Sequence, residues 1–144
     1  MRTVLRAAVA VFSIAAGVLH WDIWANHGYR STPVREMFIA SAAVGVLVGL
    51  LALVNRRWAG VPAVVANAAC LGGFALSRTS EVPTFHGGWS ESGLAPTSAT
   101  LGGVSTTLVL VVAEGLAVLC GLASFLAHRR STRSRPLPAE VARA

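Results

Sequence analysis

Four long apolar runs dominate the chain, separated by short polar punctuation. The first extends from about Val4 to Trp24, the second from about Met37 to Val54, the third from about Ala59 to Ser77 and the fourth from about Leu101 to Ala127. Each is close to or above the roughly 20 residues an α-helix needs to cross a bilayer. None alternates apolar and polar residues as a barrel strand does, so the pattern predicts helices. The third run is rich in Ala and Gly and contains Pro62 and Asn67, which suits a helix surrounded by protein rather than lipid. The predicted fold is all-α: an integral membrane four-helix bundle over residues 1–128, with the Arg-rich segment 129–144 as a disordered cytoplasmic tail.

Composition sharpens this picture. Hydrophobic residues make up 54% and charged residues 12% of the 144 residues, and the mean hydropathy is +0.63. Soluble domains carry about 25% charged residues, so this chain lacks the charge to cover a water-facing surface. That excludes a soluble enzyme, a disordered chain and a disulfide-stapled secreted module. All twelve basic residues are arginine. Without lysine the chain cannot hold retinal or pyridoxal phosphate as a Schiff base to its own side chain.

The net charge of +6 resolves into an asymmetry. Nine arginines fall on one side: Arg2 and Arg6 at the start, Arg56 and Arg57 between runs two and three, and Arg129, Arg130, Arg133, Arg135 and Arg143 after run four. The other side has Arg30, Arg35 and Arg78, offset by Asp22, Glu36, Glu81 and Glu91. The positive-inside rule then places both termini in the cytoplasm of a multi-pass cell-membrane protein. Trp21, Trp24 and Tyr29 fit an outer aromatic belt and Trp58 an inner one. The basic start and Ser13-Ile14-Ala15 imitate a cleavable leader, but the apolar run continues past that point through Leu19, so it is read as a retained span. The arginine tail has no interleaved aromatic residue, which argues against nucleic acid. It reads as a topogenic signal that can also attract anionic headgroups.

Small residues offer the packing surfaces. Ser41, Gly45 and Gly49 recur every fourth residue in the second run, and Ser13 and Gly17 do so in the first. Each set shares one helical face, as close helix association in lipid requires. The short connection from Asn55 to Trp58 makes the second and third helices antiparallel neighbours.

Glu114 is the sharpest single residue, near the middle of the fourth run where an ionised carboxylate is costly. Counting 1.5 Å per residue puts Glu114, Asn67 and Ser13 within roughly 3 Å of one depth. This intramembrane polar layer has two readings. One is a neutral glutamic acid hydrogen-bonded to Asn67 that fixes helix register. The other is a proton- or cation-coupling site, or a contact to a quinone or haem edge. Cys70 and Cys120 differ in height by roughly 12 Å, beyond the ~7 Å Cα limit of a disulfide, and read as small apolar residues.

Three histidines gather at the outer side. His20 and His27 are seven apart, on one face of the first helix if it continues, and His86 lies in the long loop from about Arg78 to Thr100. Histidines and carboxylates converging on one membrane face suit a metal or a haem iron, which makes His20, His27 and His86 the candidate metal ligands. Arg78 joins them as a candidate clamp for an anionic headgroup or ligand. No HxH, HExxH or CxxCH pattern occurs, and the plain alternative is a set of interfacial histidines beside Trp and Tyr. His128, next to Arg129, reads as a simple flank.

The segments AAGVLHWDIWANHGYRSTP and ALSRTSEVP, with a Gly-rich span between them and a glutamate in the last span, resemble a set of small four-span bacterial membrane proteins. Their pattern is a His ending the first span, a second His soon after, an SRT-x-x-x-P element after the third span and a carboxylate in the fourth. Here these are His20, His27, Ser77-Arg78-Thr79 with Pro83, and Glu114. The resemblance covers residues 10–120 and implies architecture, not chemistry, and the HGGWSES insertion departs from it. A more distant similarity to DoxX-like four-helix proteins concerns the fold alone.

The functional expectation is therefore a non-enzymatic membrane protein with a polar, His-containing outer face that binds a metal, haem or lipid-like ligand. The alternatives are a proton- or cation-coupled transport component centred on Glu114 and a quinone-linked redox subunit. The partners expected are the lipid bilayer and a second copy of the chain or another membrane protein.

Overall fold

The structure, a computed structural model, describes residues 2–27, 34–54, 58, 60–79, 100–101 and 104–133. Four helices account for almost all of them: α1 (Arg2–His27), α2 (Val34–Ala52), α3 (Val61–Thr79) and α4 (Thr106–Arg133). A two-residue ribbon precedes α4, with β1 (Thr100–Leu101) antiparallel to β2 (Val104–Ser105) and Thr100 opposite Ser105.

The element boundaries refine the expected spans. Apolarity carries the fourth run back to Leu101, but Gly102-Gly103 is a turn signal suited to a two-residue hairpin, and the helix starts only at Thr106, after Ser105, a residue type favoured at helix N-caps. At the other end α4 continues to Arg133, five residues into the segment expected to be disordered. Arginine propagates a helix well, so the helix outlasts its apolar stretch. Residues 134–144 of the expected tail lie outside the described residues. Pro62 occupies the first turn of α3, where a missing N–H costs nothing. Three helices, α1, α2 and α4, are long and apolar enough to cross a membrane; the apolar part of α3, Val61–Leu76, is shorter.

The helices form a ring in the order α1, α2, α3, α4, with packing between each neighbour and little across the α1–α3 diagonal. The α1–α2 pair is packed most extensively, and its seam is the small-residue face legible in the sequence. A Cβ on Gly45 would lie 2.9 Å from Gly17 Cα and 3.0 Å from the Ser13 carbonyl oxygen, and one on Gly17 would lie 2.8 Å from the Ala42 carbonyl oxygen. Backbone therefore meets backbone at this crossing. The direct α2–α3 connection makes those helices neighbours too, but with a smaller interface.

Two apolar clusters fill the interior. One, at the end formed by the α1 C-terminus, joins Ala16, Leu19 and Ile23 to Phe38, Leu110 and Ala113. The other joins Val9 and Ala10 to Val48, Ala52 and Ala63. Among the described residues the buried polar ones are Ser13, His20, Asn67, Thr106 and Glu114, whereas Val11, Val18, Leu47, Val65 and Leu119 are more than half exposed. The usual soluble pattern is inverted: polar groups inside, large aliphatic ones outside.

Arg6 closes the second end of the bundle. Its Nε donates to the Ala52 carbonyl at 3.2 Å and its Nη2 to the Leu53 carbonyl at 2.5 Å, satisfying acceptors that the end of α2 leaves open. Charge-assisted bonds to backbone are strong, but partial exposure lowers their worth. Arg6→Ala is expected to cost about 1 kcal/mol and lower the midpoint of thermal unfolding in detergent by about 3 °C. An unchanged midpoint would show that water serves those carbonyls equally well.

Candidate functional site

The chemistry gathers at one level of the bundle, and the helix boundaries show why. His20 lies seven residues before the end of α1, Ser41 seven after the start of α2, Cys70 nine before the end of α3 and Glu114 eight after the start of α4. At 1.5 Å per residue these are all about 10–14 Å from the same end of the bundle. Antiparallel helices with aligned ends bring the four residues into one layer.

His20 is held in a defined state. Its Nδ1 lies 2.9 Å from the Ala16 carbonyl oxygen, and a carbonyl only accepts, so Nδ1 carries the hydrogen. Nε2 is left to face the interior, 3.7 Å from Glu114 Oε1. The Phe38 ring packs on the imidazole at a centroid distance of 5.6 Å, tilted by 54°. Both partners are buried: His20 is 8% exposed and Glu114 2%. Cys70 completes the group, its thiol donating to Ser41 Oγ at 3.8 Å with its sulfur also facing the Glu114 carboxyl. One ligating atom each from His20, Cys70 and Glu114 can be chosen so that all three lie within 4.8 Å of one another.

This layer forms the polar corner of a cavity of about 250 Å³ reached by all four helices. Its other walls are mostly apolar, among them Ile23, Phe38, Phe74, Leu110 and Val111, and Met37, 40% exposed, stands at its edge. A second polar pair lies deeper. Asn67 Nδ2 donates to Ser13 Oγ at 3.0 Å and to the Ala63 carbonyl at 2.7 Å, a bridge across the α1–α3 diagonal.

The buried polar residues expected to form one layer, Glu114, Asn67 and Ser13, divide into two adjoining groups, and a small pocket is lined by Asn67 together with His20, Cys70 and Glu114. Asn67 spends both amide hydrogens on Ser13 and Ala63, and Glu114 turns instead to His20 and Cys70. Starting the helix at Thr106 moves Glu114 from the centre of α4 into its first third. Cys70 and Ser41 were missed as site residues: one was read as apolar, the other as a packing position. Their offsets from the helix ends become a signal only once the structure has fixed those ends.

The expected outer cluster of histidines also resolves differently. His20 points into the bundle, and His27 ends α1 about 10 Å further along the axis. Arg78 lies in the last turn of α3 rather than opening the loop, and cations at a helix C-terminus are favoured. His86 lies outside the described residues. Trp21 and Trp24 do pair near the end of α1, with centroids 4.5 Å apart, and the Arg35 guanidinium sits 6.0 Å from the Trp24 ring.

No known protein family, no curated protein and no solved structure matches the chain.

Proposed function

We propose that this chain is a multi-pass cell-membrane protein, both termini cytoplasmic, that binds a small lipid-like ligand in its interhelical cavity. The inverted distribution of polar and apolar residues supports membrane insertion, with α3 as a fourth crossing; only Ala63 and Asn67 of its residues 61–76 are buried, so it is not the protein-surrounded helix that its Ala and Gly content suggests. The nine-to-three arginine asymmetry supports the orientation. In that orientation the cavity occupies the extracytoplasmic half of the bundle.

The observation that carries the ligand reading is the cavity itself, with apolar walls and one polar corner. Ligand sites have this composition: greasy enclosure for affinity and a few fixed polar groups for orientation. At about 250 Å³ it exceeds the roughly 150 Å³ apolar cavity that accepts benzene. A ring or short chain bearing one hydroxyl fits it, with the hydroxyl at the polar corner formed by His20, Cys70 and Glu114.

4-Pentylphenol and pentylbenzene test this, since they differ only in the hydroxyl. Native mass spectrometry of the detergent-purified protein is expected to show one bound phenol per chain, held at least tenfold more tightly than the hydrocarbon. Equal affinity for the two, or no stoichiometric binding of either, would overturn the reading.

A further inference from the structure

We infer that His20, Cys70 and Glu114 form a site for a divalent transition-metal ion of the zinc class, its fourth coordination position opening into the cavity. The inference deepens the ligand reading and rests on it only for what occupies that fourth position.

The donor set is the first argument. Imidazole nitrogen, thiolate sulfur and carboxylate oxygen are the three ligand types zinc takes from proteins, and three protein ligands with an open fourth position define its reactive, exchangeable sites. Calcium and magnesium demand oxygen ligands in larger number, so a site with sulfur and nitrogen does not suit them.

Geometry is the second. Metal–donor bonds of about 2.0 Å to N and O and 2.3 Å to S place tetrahedral donors roughly 3.5 Å apart. His20 Nε2 and Glu114 Oε1 already stand at 3.7 Å, and no two of the three donor atoms are more than 4.8 Å apart. Rotation of the Cys70 side chain covers the rest. The donors come from α1, α3 and α4, so ligation ties three helices together.

The outer hydrogen bonds are the third. Ligating histidines almost always donate the other ring N–H to a carbonyl or carboxylate, which fixes the ring and presents the free nitrogen. His20 does this through Ala16. Ser41 stands beside the Cys70 sulfur and can orient it in the same way.

Charge decides the oxidation state of the ion. A thiolate and a carboxylate, having released their protons to solvent, exactly offset a dication, and the imidazole is neutral. The occupied site carries no net charge, which removes the main penalty of placing ions in a low-dielectric interior. A monovalent ion would leave one negative charge there and a trivalent ion one positive.

Cobalt(II) is the probe, because thiolate ligation gives it a charge-transfer band and four-coordination gives it intense visible bands. Protein purified without a polyhistidine tag and stripped with chelator is expected to bind one Co²⁺ per chain with both features, and Zn²⁺ to displace it. Cys70→Ser, nearly isosteric, should abolish the charge-transfer band and weaken binding at least tenfold with helix content unchanged by circular dichroism. Glu114→Gln should weaken it similarly, while Cys120→Ser should bind like the parent. Absence of stoichiometric Co²⁺ uptake, or uptake that survives Cys70→Ser with its band intact, would overturn the inference. Phenol binding that persists alongside failed Co²⁺ uptake sinks the metal site alone; loss of both sinks the ligand reading as well.

Discussion

Gly45→Val is expected to destabilise the bundle by about 3 kcal/mol, the upper part of the usual overpacking range. The new side chain has nowhere to go. Its Cβ would fall 2.9 Å from Gly17 Cα and 3.0 Å from Gly17 N and the Ser13 carbonyl oxygen. All three are backbone atoms, which do not rotate aside as a side chain would. The helices must separate, and in lipid close packing is a main source of their association. Because α1–α2 is the most extensive interface, separating it also disturbs the Ser13–Asn67 bridge one turn away. The midpoint of thermal unfolding in detergent should drop by about 10 °C. Gly115→Ala supplies the contrast: a Cβ there meets nothing within 4 Å, and replacing a mid-helix glycine removes a helix penalty of up to about 1 kcal/mol. Its midpoint should hold or rise. Equal losses in the two variants would show that glycine content, and not the Gly17–Gly45 crossing, limits stability.

Gly73→Phe is expected to weaken 4-pentylphenol binding at least tenfold while the fold stays intact. Gly73 lines the cavity, and a Cβ built on it has open space around it. A phenyl group there competes for volume that the ligand needs, and its Cβ meets no heavy atom within 4 Å. Removing the ligand's place is worth more than removing one of its contacts, because the enclosure supplies the apolar part of the affinity. Each tenfold step corresponds to about 1.4 kcal/mol. Native mass spectrometry reads the binding and circular dichroism the helix content. Undiminished phenol binding in a folded Gly73→Phe variant would place the ligand elsewhere, with the cavity near Arg6 and Phe125 at the opposite end as the next site to probe.

The two glycines show how unevenly the site and the fold were written in the sequence. The Gly45 seam was legible because spacing on one helix is a local property: every fourth residue shares a face whatever the helix packs against. The same holds for the helical runs themselves and for the arginine asymmetry. Gly73 has no such pattern, since its value lies in space enclosed by four separate helices.

Glu114 marks the boundary between the two kinds of information. Its position in an apolar run announces by itself that a carboxyl must find partners inside a bundle. Which partners it finds depends on where α4 starts and how it is rotated, and one-dimensional counting supplies neither. A five-residue difference in the helix start moves that end by about 7.5 Å, so residue counting does not separate Asn67 from His20 as a neighbour. Cys70 is the clearest case: alone in its run it is a small apolar residue, and only beside Glu114 and His20 does its sulfur become a ligand. The sequence by itself determined four helices, their apolar exteriors and the need for an internal polar layer, because hydrophobic periodicity and charge are properties of residues along a chain. The tertiary structure alone decided that His20, Ser41, Cys70 and Glu114 share a level, because that depends on helix register and azimuth, which arise only when four surfaces pack at once.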